Sequence, residues 1–377
     1  MLRNHYGWIL QVALVACCVI LPYRGAYAFD SRPQREVLHY VANPAPSQDQ
    51  HLTDMAAPES GKPADVESLL RFISAYRAGR ASQREIFKKH LEPLGGEVIL
   101  EYLEAIYPYC HSQAHPLGSA IYARTKDLGA ALSICRRRCT AGCMHGAVRE
   151  AFKDQTLGEI RGRLQEFCKG KEMLELYKRG NCAHGLGHAI MTTAGYDLDE
   201  ALKVCAAFPE KPMGYYCATG AYMEYFAEVQ DEEARGRSLH FPCASERPYQ
   251  AACYRYQARR MLKALSGDVE ALAKECLALS GSWRLGCFHG LGVAVKFRVL
   301  RNPISLGKFC RHGSLDDQFL CIEGVIEKLA DYNQDAALLA CATLNETHAQ
   351  VCFSAAKEKM YRLSKPTLPL YTDLRPK

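Results

Sequence analysis

One feature limits what this chain can fold into more than any other: a cysteine placed three residues before a glycine, or before an aromatic or alanine stand-in, recurs seven times at intervals of 31 to 39 residues. The copies are Cys143-Met144-His145-Gly146, Cys182-Ala183-His184-Gly185, Cys217-Ala218-Thr219-Gly220, Cys253-Tyr254-Arg255-Tyr256, Cys287-Phe288-His289-Gly290, Cys321-Ile322-Glu323-Gly324 and Cys352-Phe353-Ser354-Ala355. Each opens a stretch long enough for one helix. A turn and a second stretch follow, usually ending in Ala-Leu-x-x-Cys as at Ala131-Leu132-Ser133-Ile134-Cys135 and Ala201-Leu202-Lys203-Val204-Cys205. A period of this size holds one helical hairpin, and hairpins that cannot bury an apolar face alone do so by stacking. A leading copy without the cysteine, Gln113-Ala114-His115-Pro116-Leu117-Gly118, lines up with Cys182-Ala183-His184-Gly185-Leu186-Gly187. The predicted fold class is all-α: tandem helical-hairpin repeats with inter-unit disulfides over residues 110–364, forming a curved solenoid or an α/α toroid.

The amino terminus sets the redox compartment. Arg3 precedes an apolar run from Trp8 to Tyr23, and Ala26-Tyr27-Ala28 supplies a small-x-small cleavage site, so residues 1–28 are predicted to be a signal peptide. Leu14-Val15-Ala16-Cys17 offers a lipobox as the weaker alternative, because the residues just after Cys17 are still apolar. No later segment approaches twenty apolar residues, so no transmembrane span is expected after cleavage. The mature chain is predicted to be secreted or periplasmic. Cys17 and Cys18 leave with the leader, and the remaining sixteen of eighteen cysteines form an even set in an oxidising compartment, where pairing is the default.

Connectivity can be narrowed by counting. If every bridge spans the linker between units, the pairs are Cys135-Cys143, Cys168-Cys182, Cys205-Cys217, Cys243-Cys253, Cys276-Cys287, Cys310-Cys321 and Cys341-Cys352, which leaves Cys110-Cys139 as the eighth. Pairing within units instead strands Cys135 and Cys352 at the two ends, so the linker scheme is preferred, although sequence alone does not fix connectivity. A cluster of thiolate metal ligands would need a reducing compartment and tight Cys-x-x-Cys spacing, and neither is present.

Around this domain, residues 29–65 and 365–377 are rich in Pro and polar residues without periodicity and read as a disordered linker and tail. Residues 66–109 carry apolar side chains at helical spacing (Leu69, Leu70, Phe72, Ile73; Val98, Leu100, Leu103, Ile106), which predicts two or three capping helices. The net charge of +6 is spread without a basic block beyond Arg136-Arg137-Arg138, so no nucleic-acid partner is expected. There is no Cys-x-x-Cys-His haem attachment, Walker A loop, Gly-x-Ser-x-Gly elbow or His-Glu-x-x-His helix.

The helix-ending Ala-Leu-x-x-Cys followed by a helix-opening Cys-x-x-Gly resembles the cysteine-rich, tetratricopeptide-like repeat proteins secreted by bacteria, over roughly residues 110 to 363. The chain departs from them in the longer, variable spacing of its paired cysteines and in its His-Gly dipeptides. The resemblance implies a curved all-α solenoid and a partner-binding role, and it carries over no catalytic residue. A weaker likeness is to toroidal lanthionine cyclases, whose inner helices also begin with His-Gly. Those enzymes use free cysteines on zinc, which the disulfide argument denies here.

The position two after each opening cysteine is polar in every unit: His115, His145, His184, Thr219, Arg255, His289, Glu323 and Ser354. Four residues on, the same helical face carries Ser119, Arg149, His188, Met223, Arg259, Val293, Glu327 and Glu358. In stacked hairpins such a face lines the concave side. The first function this supports is an exported interaction module holding a protein, peptide or glycan there, with Arg149, Arg255 and Arg259 able to take an anionic ligand. The alternative is a metal-binding protein or metalloenzyme using His111, His115, His145, His184, His188 and His289. The pairs His111/His115 and His184/His188 are spaced four apart, which suits two ligands from one helix, and imidazole with carboxylate suits copper, zinc or iron. Glu323 and Glu150 are the candidate proton acceptors of that reading. Against both stands a structural use of His-Gly, in which the histidine satisfies helix-end groups and the glycine admits a close neighbour.

Overall fold

The computed structural model describes residues 66–107, 109–136, 138–168, 179–228, 238–245 and 247–358, all within one unit, Ala57–Lys377. The expected leader, linker and tail lie outside the described residues. Among the described residues every regular element is helical. Two helices come first, α1 (Val66–Ala78) and α2 (Gln83–Ile106), the latter opened by a capping box between Ser82 and Glu85 and broken internally at Gly95, whose φ is 76°. Phe72, Phe87, Leu100 and Leu103 bury this pair against Leu117, Ala120 and Ile121 of the next helix.

The remaining helices fall into two sets. The longer ones are α3 (His111–Thr125), α5 (Gly142–Phe152), α7 (Arg179–Thr193), α9 (Lys211–Glu228), α10 (Gln250–Ala264), α12 (Gly281–Arg301), α14 (Leu315–Tyr332) and α16 (Glu346–Glu358). They pack on one another in chain order. The others are α4 (Leu128–Cys135), α6 (Leu157–Phe167), α8 (Leu198–Cys205), α11 (Val269–Leu277), α13 (Ser305–Phe309) and α15 (Gln334–Ala342). Four of these begin in the same way, with the side chain of Asp127, Asp197, Asp268 or Asn333 accepting from backbone N–H groups of the first turn. That cap satisfies donors the helix leaves orphaned and fixes where the reversal ends.

Eight disulfides tie this arrangement together: Cys110–Cys139, Cys135–Cys143, Cys168–Cys182, Cys205–Cys217, Cys243–Cys253, Cys276–Cys287, Cys310–Cys321 and Cys341–Cys352, with Cα separations of 5.0 to 5.7 Å. They coincide with the linker-spanning pairs. Cys276–Cys287, for example, joins the end of α11 to α12 across 11 residues. Closing such a loop in the unfolded chain is worth about 3 kcal/mol by loop-closure entropy. The double variant Cys276→Ala/Cys287→Ala is therefore expected to lose about 3 kcal/mol in a denaturant titration, and an unchanged midpoint would show that the bridge constrains nothing.

Glycine sets the spacing of the long helices. A Cβ placed on Gly146 would lie 1.9 Å from the His115 carbonyl oxygen, one on Gly220 1.9 Å from that of His184, and one on Gly324 2.1 Å from that of His289. In return, Gly118, Gly187 and Gly292 press on the carbonyls of Cys143, Cys217 and Cys321. The pairs α3/α5, α7/α9 and α12/α14 thus meet in one shared register, backbone against backbone, which no residue with a side chain permits. One contact is remote in sequence: the Tyr109 ring, just before α3, lies 3.8 Å from that of Phe297 on α12 and 4.9 Å from that of Tyr332 on α14, centroid to centroid.

Candidate metal centre

Most of the polar row is enclosed, although Ser354 and Arg259 are exposed and His115 and Arg149 half-buried. His111, His145, His184, His188, Thr219, Arg255, His289, Glu323 and Glu327 are all buried, with His188 and Arg255 only 1% exposed. Close backbone approach contributes, since helices in contact at glycine leave the flanking side chains little room for water.

Five of the imidazoles converge. His111 and His115 come from successive turns of α3, His145 from α5, and His184 and His188 from successive turns of α7. His145 stands in the middle, its ring centroid 5.0 Å from His111, 5.5 Å from His115, 4.9 Å from His184 and 5.0 Å from His188. Two sets of three nitrogens, one each from His111, His115 and His145 and one each from His145, His184 and His188, have all members within 4.8 Å of one another.

The outer ring nitrogens are held by neighbouring helices and loops. His188 Nδ1 donates to Glu224 Oε2 at 2.7 Å, and Glu224 also accepts from Arg149 at 3.1 Å. The Thr219 hydroxyl gives its proton to the Tyr216 carbonyl at 2.6 Å, so its oxygen is left to accept from His184 Nδ1 at 2.8 Å. His111 Nδ1 lies 2.9 Å from the Thr140 hydroxyl oxygen and 3.1 Å from the Thr140 carbonyl. That carbonyl is aimed by an unusual turn: Cys139, Thr140 and Ala141 all have φ between 50° and 64°. Left-handed backbone at three successive non-glycine residues costs about 1 kcal/mol or more apiece, and the Cys110–Cys139 bridge beside His111 holds it in place.

His184 and His188 each turn Nε2 toward the cluster, and the two Nε2 atoms face each other at 3.2 Å. At that distance the pair shares either a proton or a metal ion. The His111 and His115 Nε2 atoms are also 3.2 Å apart. Two nitrogens at about 2.05 Å from one tetrahedral ion would be roughly 3.3 Å apart, so both pairs have the bite of a shared metal.

Burial holds four of the rings, His111, His115, His145 and His184, neutral and able to ligate. It lowers His111 to about 3, helped by Lys328 and His188. His115, His145 and His184 are pushed well below the ordinary imidazole value by burial first and by neighbouring imidazoles second. Burial alone would raise Glu224, but the His188 and Arg149 donors outweigh it and keep the carboxylate charged. No thiolate competes: Cys110 and Cys139, which lie near Glu104, are bridged to each other, and Glu104 instead accepts from Arg138 and from the Cys139 amide.

The other residues singled out from sequence sit elsewhere. His289 joins neither set of three; Arg255 donates to its Nδ1 at 2.5 Å, while its Nε2 lies 3.2 Å from Glu327 Oε2. Burial would raise Glu327, and the His289 and Arg255 contacts hold it below the usual value instead. Glu150 is occupied by Arg84 and Lys153. Glu323 is buried on α14, Arg149 is committed to Glu224, and Arg259 is exposed. Sequence reasoning missed Glu224, Thr140, Lys296 and Lys328. Lys328 bears electrostatically on both His111 and His184, which sets α14 across from the cluster. Lys296 is buried against the Phe297 ring and donates to the Val293 carbonyl at 3.1 Å. Its spacing of seven from His289, two helical turns on one face, was the available signal. No protein-family model, curated protein or solved structure matches this chain.

Proposed function

We propose that this is an exported metal-binding protein whose helical hairpins form a repeat array with a histidine centre at its heart, served by α3, α5 and α7. The observation that carries the reading is the pair of Nε2 atoms of His184 and His188, 3.2 Å apart with both Nδ1 atoms already held by Thr219 and Glu224. A metal ion satisfies both at once. The Glu224 carboxylate behind His188 and the Thr219 hydroxyl behind His184 are the outer partners that orient ligating imidazoles and raise their basicity. An all-imidazole donor set suits copper or zinc, with ferrous iron as a further candidate, and disfavours calcium. Eight disulfides fit an oxidising compartment, secreted or periplasmic, and no described helix is long and apolar enough to cross a membrane. The metal reading is preferred to a docking groove because most of the polar row, and four of the five clustered histidines, are buried rather than presented.

Elemental analysis of untagged protein after dialysis tests it. Stoichiometric copper or zinc is expected, with at least half of it lost in His184→Ala/His188→Ala and retention weakened about 10- to 100-fold in Glu224→Gln, where the outer partner loses its charge. Protein that holds no metal after exposure to copper or zinc would overturn the assignment.

A further inference from the structure

The five imidazoles are distributed in a way that a single ion does not use. Each of the two Nε2 pairs, His111/His115 on α3 and His184/His188 on α7, has the bite of one metal, and each lacks a third ligand. The residue that completes either set is the same one, His145.

His145 also differs from its neighbours in what the protein asks of it. His111, His184 and His188 each have Nδ1 held by a protein partner and turn Nε2 toward the cluster. His145 has no such partner: its Nδ1 is buried from solvent and makes no hydrogen bond, and the residue is 4% exposed. A buried, unpartnered nitrogen costs about 1 to 3 kcal/mol when nothing answers it, and a fold that supplies three outer partners around the cluster supplies none here. Its central ring lies 4.9 to 5.5 Å from the four others.

We infer that the centre is dinuclear and that His145 bridges the two metal ions through its two ring nitrogens, one ion resting on His111 and His115 and the other on His184 and His188. This rests on the metal-binding reading above and adds its nuclearity. When the second ion binds, the N–H bond of the His145 ring breaks, the electron pair becomes the second metal–nitrogen bond, and the proton leaves to water; no oxidation state changes. Each ion then has three imidazole nitrogens, one ligand short of the four that a closed structural site uses.

Copper(II) titrated into the full untagged chain tests the inference by stoichiometry and by electron paramagnetic resonance. Two copper ions per chain are expected, with the ordinary isolated-copper signal largely lost because the bridging ring couples the two unpaired spins. One ion per chain, or two that give independent signals, would overturn the bridge while leaving metal binding intact; no retained copper would overturn both. In His145→Ala the coupling is expected to vanish and isolated-copper spectra to appear. The wild-type spectrum decides the matter even where that variant fails to fold.

Discussion

Taking the metal-free protein from pH 7.5 to pH 5 is expected to destabilise it severely. His111 titrates at about 3 in the folded chain, and His115, His145 and His184 are likewise held well below their ordinary value by burial. In the unfolded chain all four return to about 6.5. Below that pH the unfolded state therefore binds protons that the folded state refuses, so stability is fully present above 6.5 and falls as the pH drops toward the folded values. Each group contributes about 1.4 kcal/mol per pH unit, or about 2 kcal/mol at pH 5. Four such groups remove a large share of the roughly 5 to 15 kcal/mol that ordinary domains possess, and His289, lowered by burial and by Arg255, acts in the same direction. Guanidinium unfolding followed by far-ultraviolet circular dichroism should show a midpoint that is flat above pH 7 and collapses below 6.5. Saturating copper or zinc should move the collapse to lower pH, because a coordinated nitrogen cannot take a proton. A midpoint indifferent to pH between 7.5 and 5 would contradict the enclosed, neutral cluster.

The second large effect is expected at Gly220. A Cβ there would sit 1.9 Å from the His184 carbonyl oxygen and 3.0 Å from the Gly187 Cα, atoms of the facing backbone that cannot swing aside. Relief requires α7 and α9 to separate, which breaks the His184–Thr219 hydrogen bond and carries His184 and His188 away from the rest of the cluster. Gly220→Ala is expected to cost about 3 kcal/mol as an overpacked contact, and Gly220→Val to prevent the native fold. Gly162 on α6 is the control: a Cβ there meets nothing within 4 Å, and its φ is not left-handed. Gly162→Ala should stabilise by up to about 1 kcal/mol through helix propensity. Thermal melts of the two alanine variants are expected to shift in opposite directions, and parallel shifts would refute the close-approach argument.

Much of this was legible from residue spacing, for a physical reason. The spacing predicts that the recurring cysteine opens a helix, but it falls inside one, with Cys217, Cys287 and Cys321 each six residues after the first residue of α9, α12 and α14. The position two beyond it still marks one face, because the bridge fixes which side of the helix faces its neighbour. His115, His145 and His184 fall on that position, and His111 and His188 one helical turn away, before any coordinates are known. Burial was not legible. An open concave surface follows from hairpin stacking in general, whereas the enclosure here is aided by glycine letting backbones touch at His115, His184 and His289. Nor was the separate place of His289, which shares the motif with the cluster but is surrounded by Arg255 and Glu327 from its own neighbours. Glu224 escaped because its helix reaches His188 in a register that only packing defines. Thr140 escaped because it works through a left-handed turn where no glycine announces one.

The aromatic clasp of Tyr109 with Phe297 and Tyr332 bears on the order in which the molecule matures. Those partners are about two hundred positions away along the polypeptide, and contacts so remote form slowly because a long stretch of chain must first be organised. The five imidazoles, by contrast, all come from residues 111 to 188. The proposed ion site can therefore assemble before the aromatic clasp closes, so that any ion it takes would already be in place when the distant segments meet.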